Sequence, residues 1–329
     1  MNNSHSRKTI LFALLAIALS WAGLGCGQSG STTKAGPPPT GAVELKLKFP
    51  EGRRIVQNLE MRQSGEMSVP GTTAPMKQEM TMGEKLAQTV LKALPDGGHE
   101  LEMEYLDTRM SMVMGTNAIL SFDSSKPSSS TNPMTAALQF LKGAKIRLFL
   151  DSSNEIVKVE GVEELQEKLT SNGQRDPSGT LRSMMSEDSF RDSMGESRNL
   201  PKQPVSPGDS WPVHQEIQMG ALGTMVADFT YTLKAWERRN NHNAARIEFE
   251  GTIKTKPGQN LTATGMNMAI ESGNSSGEAW FDLEDGMFVE STRNQTITMA
   301  MTMPPRAGQS ATMRSTQNQV ITLKSELAK

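Results

Sequence analysis

From residue 43 onward, apolar and polar residues alternate along much of the chain. The stretches VELKLKF at 43–49, LEMEY at 101–105, IEFE at 247–250 and ITMAMTM at 297–303 all repeat with a period of two. That period places every second side chain on one face of a strand. Turn-forming residues at 50–52, 95–98, 240–243 and 285–286 separate these runs. Long antiparallel strands joined by short hairpins are the expectation.

Three landmarks recur in the same order. PEGRRIV at 50–56 parallels PGDSWPV at 207–213, and TVLKAL at 89–94 with LEME at 101–104 parallels YTLKAW at 231–236 with IEFE at 247–250. FLD at 149–151, running to Ile156 and Val157, parallels WFD at 280–282, running to Met287 and Phe288. Three parallels in order predict a duplicated β unit.

Helical signals cluster between the two halves. Asn132 before Pro133 is a cap followed by a first-turn residue, and apolar positions from Ala136 to Leu141 then run to Gly143. A short amphipathic helix is predicted over 162–169. A second is predicted over 178–194, where Leu181, Met184, Met185, Phe190 and Met194 share a face.

The N-terminus has a different pattern. Arg7 and Lys8 precede an apolar run from Ile10 to Leu19, and small residues lead to Cys26. This is a secretory signal too short to span a bilayer. Cys26 after Gly25 resembles a bacterial lipobox, in which the cysteine is lipidated, although Gly23 holds the usual leucine position. That resemblance, together with Gly27 and Gln28 after the cysteine, implies an outer-membrane anchor facing the periplasm. The following QSGSTTKAGPPPTG at 28–41 is a flexible tether stiffened by proline.

The segments PVSPGDSW at 204–211, GTMVADFTYTLKA at 223–235 and EAWFDLEDGMFVES at 278–291 resemble an uncharacterised family of secreted bacterial proteins, known only as a domain of unknown function. That family brings no activity with it. The strand-rich, helix-interrupted pattern is more distantly similar to the periplasmic lipoprotein carriers and their outer-membrane receptors. That similarity implies a strongly curved antiparallel sheet with a few helices over its concave face.

The expected fold is therefore mainly β: a large, half-barrel-like curved antiparallel sheet from two related halves, with a short helical insert between them. The predicted organisation is a signal peptide over 1–26, a tether over 27–41, a first β repeat over 42–160, a helical insert over 161–203 and a second β repeat over 204–329.

Composition adds one anomaly. The 329 residues include 23 methionines but only 5% aromatics, and the formal net charge of −2 gives no nucleic-acid footprint. Met110, Met112 and Met114 share a strand face, as do Met299, Met301 and Met303; Met76, Met80 and Met82 form a third row, and Met61 is in phase with Met67. Methionine fills irregular cores, but it also lines surfaces that re-pack around varied partners. Copper(I) is a third option, since thioethers suit it. Same-face residues along one strand lie about 7 Å apart, which converges poorly on an ion. The histidines beyond the signal, His99, His214 and His242, adjoin no methionine row.

Catalytic patterns are weak. GNSSG at 273–277 satisfies G-x-S-x-G, but an elbow needs a helix after it and a later histidine, and no histidine follows His242; a loop is expected there. Asp282, Glu284, Asp285 and Glu290 invite a calcium reading, but Gly286 falls one position early for a calcium loop. A hairpin turn with solvated carboxylates is the expectation. Asp151 and Glu155 would turn the parallel hairpin, and Trp211, Trp236 and Trp280 are expected to pack. No enzyme, metal site or cofactor is expected.

The functional expectation is a lipid-anchored envelope protein that binds a hydrophobic ligand, lipid or acyl chain, in a groove lined by Met110, Met112, Met114, Met299, Met301 and Met303. The alternative is a structural or protein-interaction module in which those rows are only core. Its partners would be the membrane, through Cys26, and a hydrophobic ligand or an envelope protein.

Overall fold

The computed structural model describes residues 37–68, 74–126, 133–171, 186–187, 191, 199–218, 224–239, 242–256, 261–263, 266–306 and 309–328. The strands are β1 (Arg54–Ser68), β2 (Met76–Ala93), β3 (His99–Met114), β4 (Asn117–Asp123), β5 (Lys145–Leu150), β6 (Ile156–Glu160), β7 (Ser210–Gln218), β8 (Thr224–Arg239), β9 (His242–Thr255), β10 (Leu261–Ala263), β11 (Met266–Asp282), β12 (Met287–Arg306) and β13 (Gln309–Leu327). Among the described residues the helices are α1 (Pro133–Leu141) and α2 (Val162–Ser171). The expected second insert helix, over 178–194, falls almost wholly outside the described residues.

All the strands belong to one curved, open, antiparallel sheet of order β6-β5-β3-β2-β1-β13-β12-β11-β9-β8-β7, with β4 on β3 and β10 on β11. The order β6-β5-β3-β2-β1 reappears as β12-β11-β9-β8-β7, and β13 joins the two sets. Irregularities repeat as well. A register shift between Val90 and Lys92 opposite β3 matches one between Leu233 and Ala235 opposite β9. A second, at Phe149/Leu150 opposite β6, matches Trp280/Phe281 opposite β12.

The equivalence corrects the letter matching by one residue. The Gly52 amide donates to the Val90 carbonyl at 2.9 Å, and the Gly208 amide donates to Leu233 at 2.7 Å. Gly52 and Gly208, at φ +75° and +100°, are thus counterparts. Their left-handed turns favour glycine, and it is this glycine, not the neighbouring proline, that holds the register.

The alternating segment 43–49 is not a ladder strand. Among the described residues Val43 pairs with Val205 in an isolated bridge, and the Lys48 amide donates to the Gly286 carbonyl at 3.0 Å. The segment instead straps the end of the sheet where the 94–98 and 283–286 turns lie. Leu45, Leu47 and Phe49 are buried in the main core, and Lys48 Nζ donates to the carbonyls of Leu283 and Glu284 at 3.0 and 2.8 Å. Period-two burial arises here from a strap lying on a core, without a ladder strand beside it among the described residues.

GNSSG at 273–277 is also not a loop, because it lies in the middle of β11. A Cβ on Gly277 would meet the Thr292 carbonyl oxygen at 2.1 Å and Phe249 Cζ at 2.5 Å. These glycines and serines admit close packing of neighbouring strands and rings instead of making a turn.

Candidate functional site

The ladder registers divide the inner face of the sheet into three chemically different zones. Along one transect, Met110 of β3, Met82 of β2 and Met61 of β1 stand side by side. Ile321, Arg293 and Gly277 follow on β13, β12 and β11, and then Phe249, Tyr231 and Trp211 on β9, β8 and β7. One transect nearer the 115–117 turn, Met112 and Met80 are followed by Gln63, Gln319 and Gln295.

The methionine zone is a wall in two layers of access. Met61, Met80 and Met112 are 1%, 3% and 2% exposed and pack with Leu59, Leu120 and Ile321. Met82, Met110 and Met114 lie against the same cluster but are only half-buried, and Leu138 of α1 reaches it from above. The structure therefore brings Met110, Met112 and Met114 together and adds Met61, Met80 and Met82 from neighbouring strands. Cross-strand neighbours on one face lie about 5 Å apart, so lateral pairing gathers thioethers more closely than their spacing along one strand does.

Met299 and Met301 are half-buried on the same face of β12, and Met301 pairs with Met313 of β13. Met299 packs against the main core cluster and not against the first patch, and β13 stands between β12 and Met61 of β1. Met303 belongs to β12, but its side chain lies outside the described residues. Cys26 and the signal and tether residues 1–36 also lie outside them.

The central zone is polar and buried. Gln295 Nε2 donates to Gln319 Oε1 at 3.1 Å, and Gln319 Nε2 donates to Gln63 Oε1 at 2.7 Å. This amide chain crosses β12, β13 and β1. Beside it, Arg293 lies over the rings of Phe229 and Phe249, at 5.1 and 5.2 Å from their centres. Burial pulls its guanidinium down to about 10, against the opposing influence of Tyr231. The aromatic zone is continuous: Trp211 stacks on Tyr231 and Tyr231 on Phe249, with centroids 5.9 and 5.3 Å apart.

Glu84 and Thr108 were not singled out by sequence reasoning. They are partners across β2 and β3 on the inner face, with Leu59 on the other side of Glu84. Burial pushes the Glu84 carboxyl up to about 7. The Tyr105 phenol is raised by burial and by the nearby Glu84 charge. The sequence signal was available: within the odd–even pattern of β2, Glu84 occupies the inward phase of Met80 and Met82.

Trp211 and Trp280 are buried and Trp236 packs against the core, as expected of packing residues. The turn between β11 and β12 corrects the expectation of solvated carboxylates, because Asp282 is 4% exposed. Its Oδ1 accepts the amides of Glu284 and Asp285 at 2.7 and 2.9 Å. Its Oδ2 lies 2.6 Å from His242 Nδ1, and Asp285 Oδ2 lies 3.4 Å from the same nitrogen. These are the only three grouped side chains with metal-ligand chemistry among the described residues. The hydrogen bonds account for them as a turn cap. Burial pulls the His242 imidazole down, but the bond to Asp282 and the charges of Asp282, Asp285 and Glu284 outweigh it, so the net shift is upward. Asp151 caps the counterpart turn through the amides of Ser153 and Glu155.

On the solvent face of β7–β13, an open depression of about 900 Å³ is lined by short polar side chains such as Thr230, Thr252, Asn274, Thr296 and Asn318. It contrasts with the methionine wall in both chemistry and face.

The fold and inner face define a curved open-sheet protein with an apolar interior interrupted by a buried polar belt. The chain belongs to a family of unknown function (DUF6263), whose profile matches residues 96–288, more than half of its length. No curated protein matches it. Among solved structures, one described as showing lipid–protein interactions in lipovitellin shares 10% identity, covering 86% of this chain and 26% of its own, with a TM-score of 0.44. The chain thus spans about a quarter of lipovitellin's length. A Bacteroides fragilis protein with a YmcC-like fold shares 10% identity, covering 87% of this chain and all (100%) of its own, at a TM-score of 0.27. A Pseudomonas putida outer-membrane channel shares 7%, covering 88% and 100%, at 0.19. Nothing about this chain's ligand follows from likeness at this level.

Proposed function

We propose that the protein is a non-enzymatic component of the bacterial cell envelope that binds a hydrophobic ligand, a lipid or acyl chain, against the methionine wall inside its curved sheet. The observation that carries this reading is the uneven burial of that wall. Met61, Met80 and Met112 form a packed base, while Met82, Met110 and Met114 keep solvent-accessible surface on the same face. Flexible thioether side chains can re-pack around alkyl chains of different length at low cost. The signal and lipobox-like residues 1–26 support an envelope location, with Cys26 as the anchor.

Saturable uptake of N-phenyl-1-naphthylamine, a neutral apolar fluorophore, by the purified protein tests the reading. Fluorescence enhancement that saturates near one probe per chain is expected. Enhancement that rises without saturation, or none, would contradict it.

A second reading is favoured by one observation. Met61, Met82 and Met110 stand in adjacent register on three strands, a thioether trio suited to Cu(I).

A further inference from the structure

Two charged side chains stand deep on the inner face and differ in access. Arg293 is 4% exposed and roofed by Phe229 and Phe249, so its charge is engaged within the aromatic zone. Glu84 stands in the methionine wall, two residues from Met82, and is half-buried. Its carboxyl makes no hydrogen bond or ion pair among the described residues. Burial raises it, and the residue retains some accessible surface.

Its cross-strand partner sharpens the picture. Thr108 is 1% exposed. Its amide donates to Ser124 Oγ at 2.9 Å and its carbonyl accepts the Ser124 amide, also at 2.9 Å. The Thr108 hydroxyl is buried with no partner. An unpartnered buried hydroxyl beside an unpaired carboxyl is costly in an apolar wall. Met82 and Met110 form the next inward cross-strand pair, Tyr105 is close enough to feel the Glu84 charge, and all three are half-buried.

Resting on the hydrophobic-ligand reading above, we infer that Glu84 and Thr108 form the head-group station of the interior, and that the ligand is a single-chain amphiphile with a protonated amino head. The ammonium pairs with the Glu84 carboxylate and donates to Thr108 Oγ1, and the alkyl chain lies along Met82 and Met110. Charge complementarity selects this occupant. An ammonium offsets the desolvation of the carboxylate, a neutral alcohol does so only partly, and a carboxylate head meets like charge.

The test is displacement of bound N-phenyl-1-naphthylamine from the full-length protein at pH 8 by dodecylamine, 1-dodecanol and dodecanoate. Dodecylamine is expected to displace the probe at about one-tenth the concentration that dodecanoate needs, the equivalent of roughly 1.4 kcal/mol. In Glu84→Gln that preference collapses to the level of dodecanol. Thr108→Val weakens dodecylamine alone and supplies the test should Glu84→Gln misfold. Equal displacement by all three compounds, or an amine preference that survives Glu84→Gln, overturns the head-group assignment while the hydrophobic-ligand reading stands. Failure of all three to displace the probe overturns both.

Discussion

Met82 and Met110 face one another across β2 and β3 on the inner face, half-buried, while the next cross-strand pair, Met80 and Met112, is almost fully buried. Two neighbouring pairs of the same residue thus have different work. The inner pair holds the sheet's core, and the outer pair presents apolar surface to the interior.

That difference predicts a split between stability and binding. Met112→Ala is expected to lower unfolding stability by about 2–4 kcal/mol, the cost of deleting a buried side chain. Met110→Ala should cost less than about half of that, while weakening probe uptake several-fold. Urea denaturation and probe titration of the two variants check this. Equal stability losses would return both pairs to the core.

Glu84 should make stability fall as pH rises. Its folded value of about 7 lies above its ordinary 4.5, so the folded chain holds the proton more tightly. The carboxyl opposes folding once the unfolded chain ionises, and the penalty is complete above pH 7. Over that window the loss amounts to roughly 3 kcal/mol. Glu84→Gln is expected to be more stable than the parent at pH 8 and to match it at pH 4.5. Urea midpoints at the two pH values check the sign.

His242 should act in the opposite direction. Its folded value is raised by Asp282 and the neighbouring carboxylates against the pull of burial. The stability it contributes is present below its unfolded value of about 6.5 and is lost as pH rises through the folded value. His242→Ala is therefore expected to cost more at pH 5.5 than at pH 9. Thermal melts at both values test this, and a larger cost at pH 9 would contradict it.

Glycine roles differ between turn and strand. Gly208→Ala strains a turn at φ +100° and is expected to cost about 1 kcal/mol. Gly277→Ala drives a methyl group toward the Thr292 carbonyl and the Phe249 ring and is expected to cost more, about 3 kcal/mol. Parallel urea unfolding of the two variants ranks them.

The strand period, α1, α2 and the existence of two related halves were legible because each is a local pattern. Lateral relationships were not. The spacing of Met110, Met112 and Met114 gave their shared face, but only the ladder register brings Met82 and Met61 beside them. The same is true of Glu84, whose partner Thr108 is distant in sequence. Gly273 and Gly277 were misread because glycine signals both turns and close packing, and only the neighbouring strands, Ile253 at Gly273 and Thr292 with Phe249 at Gly277, decide between them. The 43–49 strap was misread for a related reason: alternating burial reports a buried face, not a hydrogen-bonded neighbour.

The anchor is testable by itself. Cys26→Ser is expected to release the protein from the membrane fraction into the soluble envelope fraction. Unchanged membrane association would remove lipidation from the account without touching the interior.

The central claim, that the interior accepts a hydrophobic ligand, is tested most directly by native mass spectrometry of the protein purified from a bacterial envelope. The account predicts a population carrying added lipid mass that is lost on denaturation, with Met110→Ala depleted in it. A bare protein mass under conditions that preserve known lipid complexes would contradict the account, and a copper-sized increment would assign the methionine wall to Cu(I) instead.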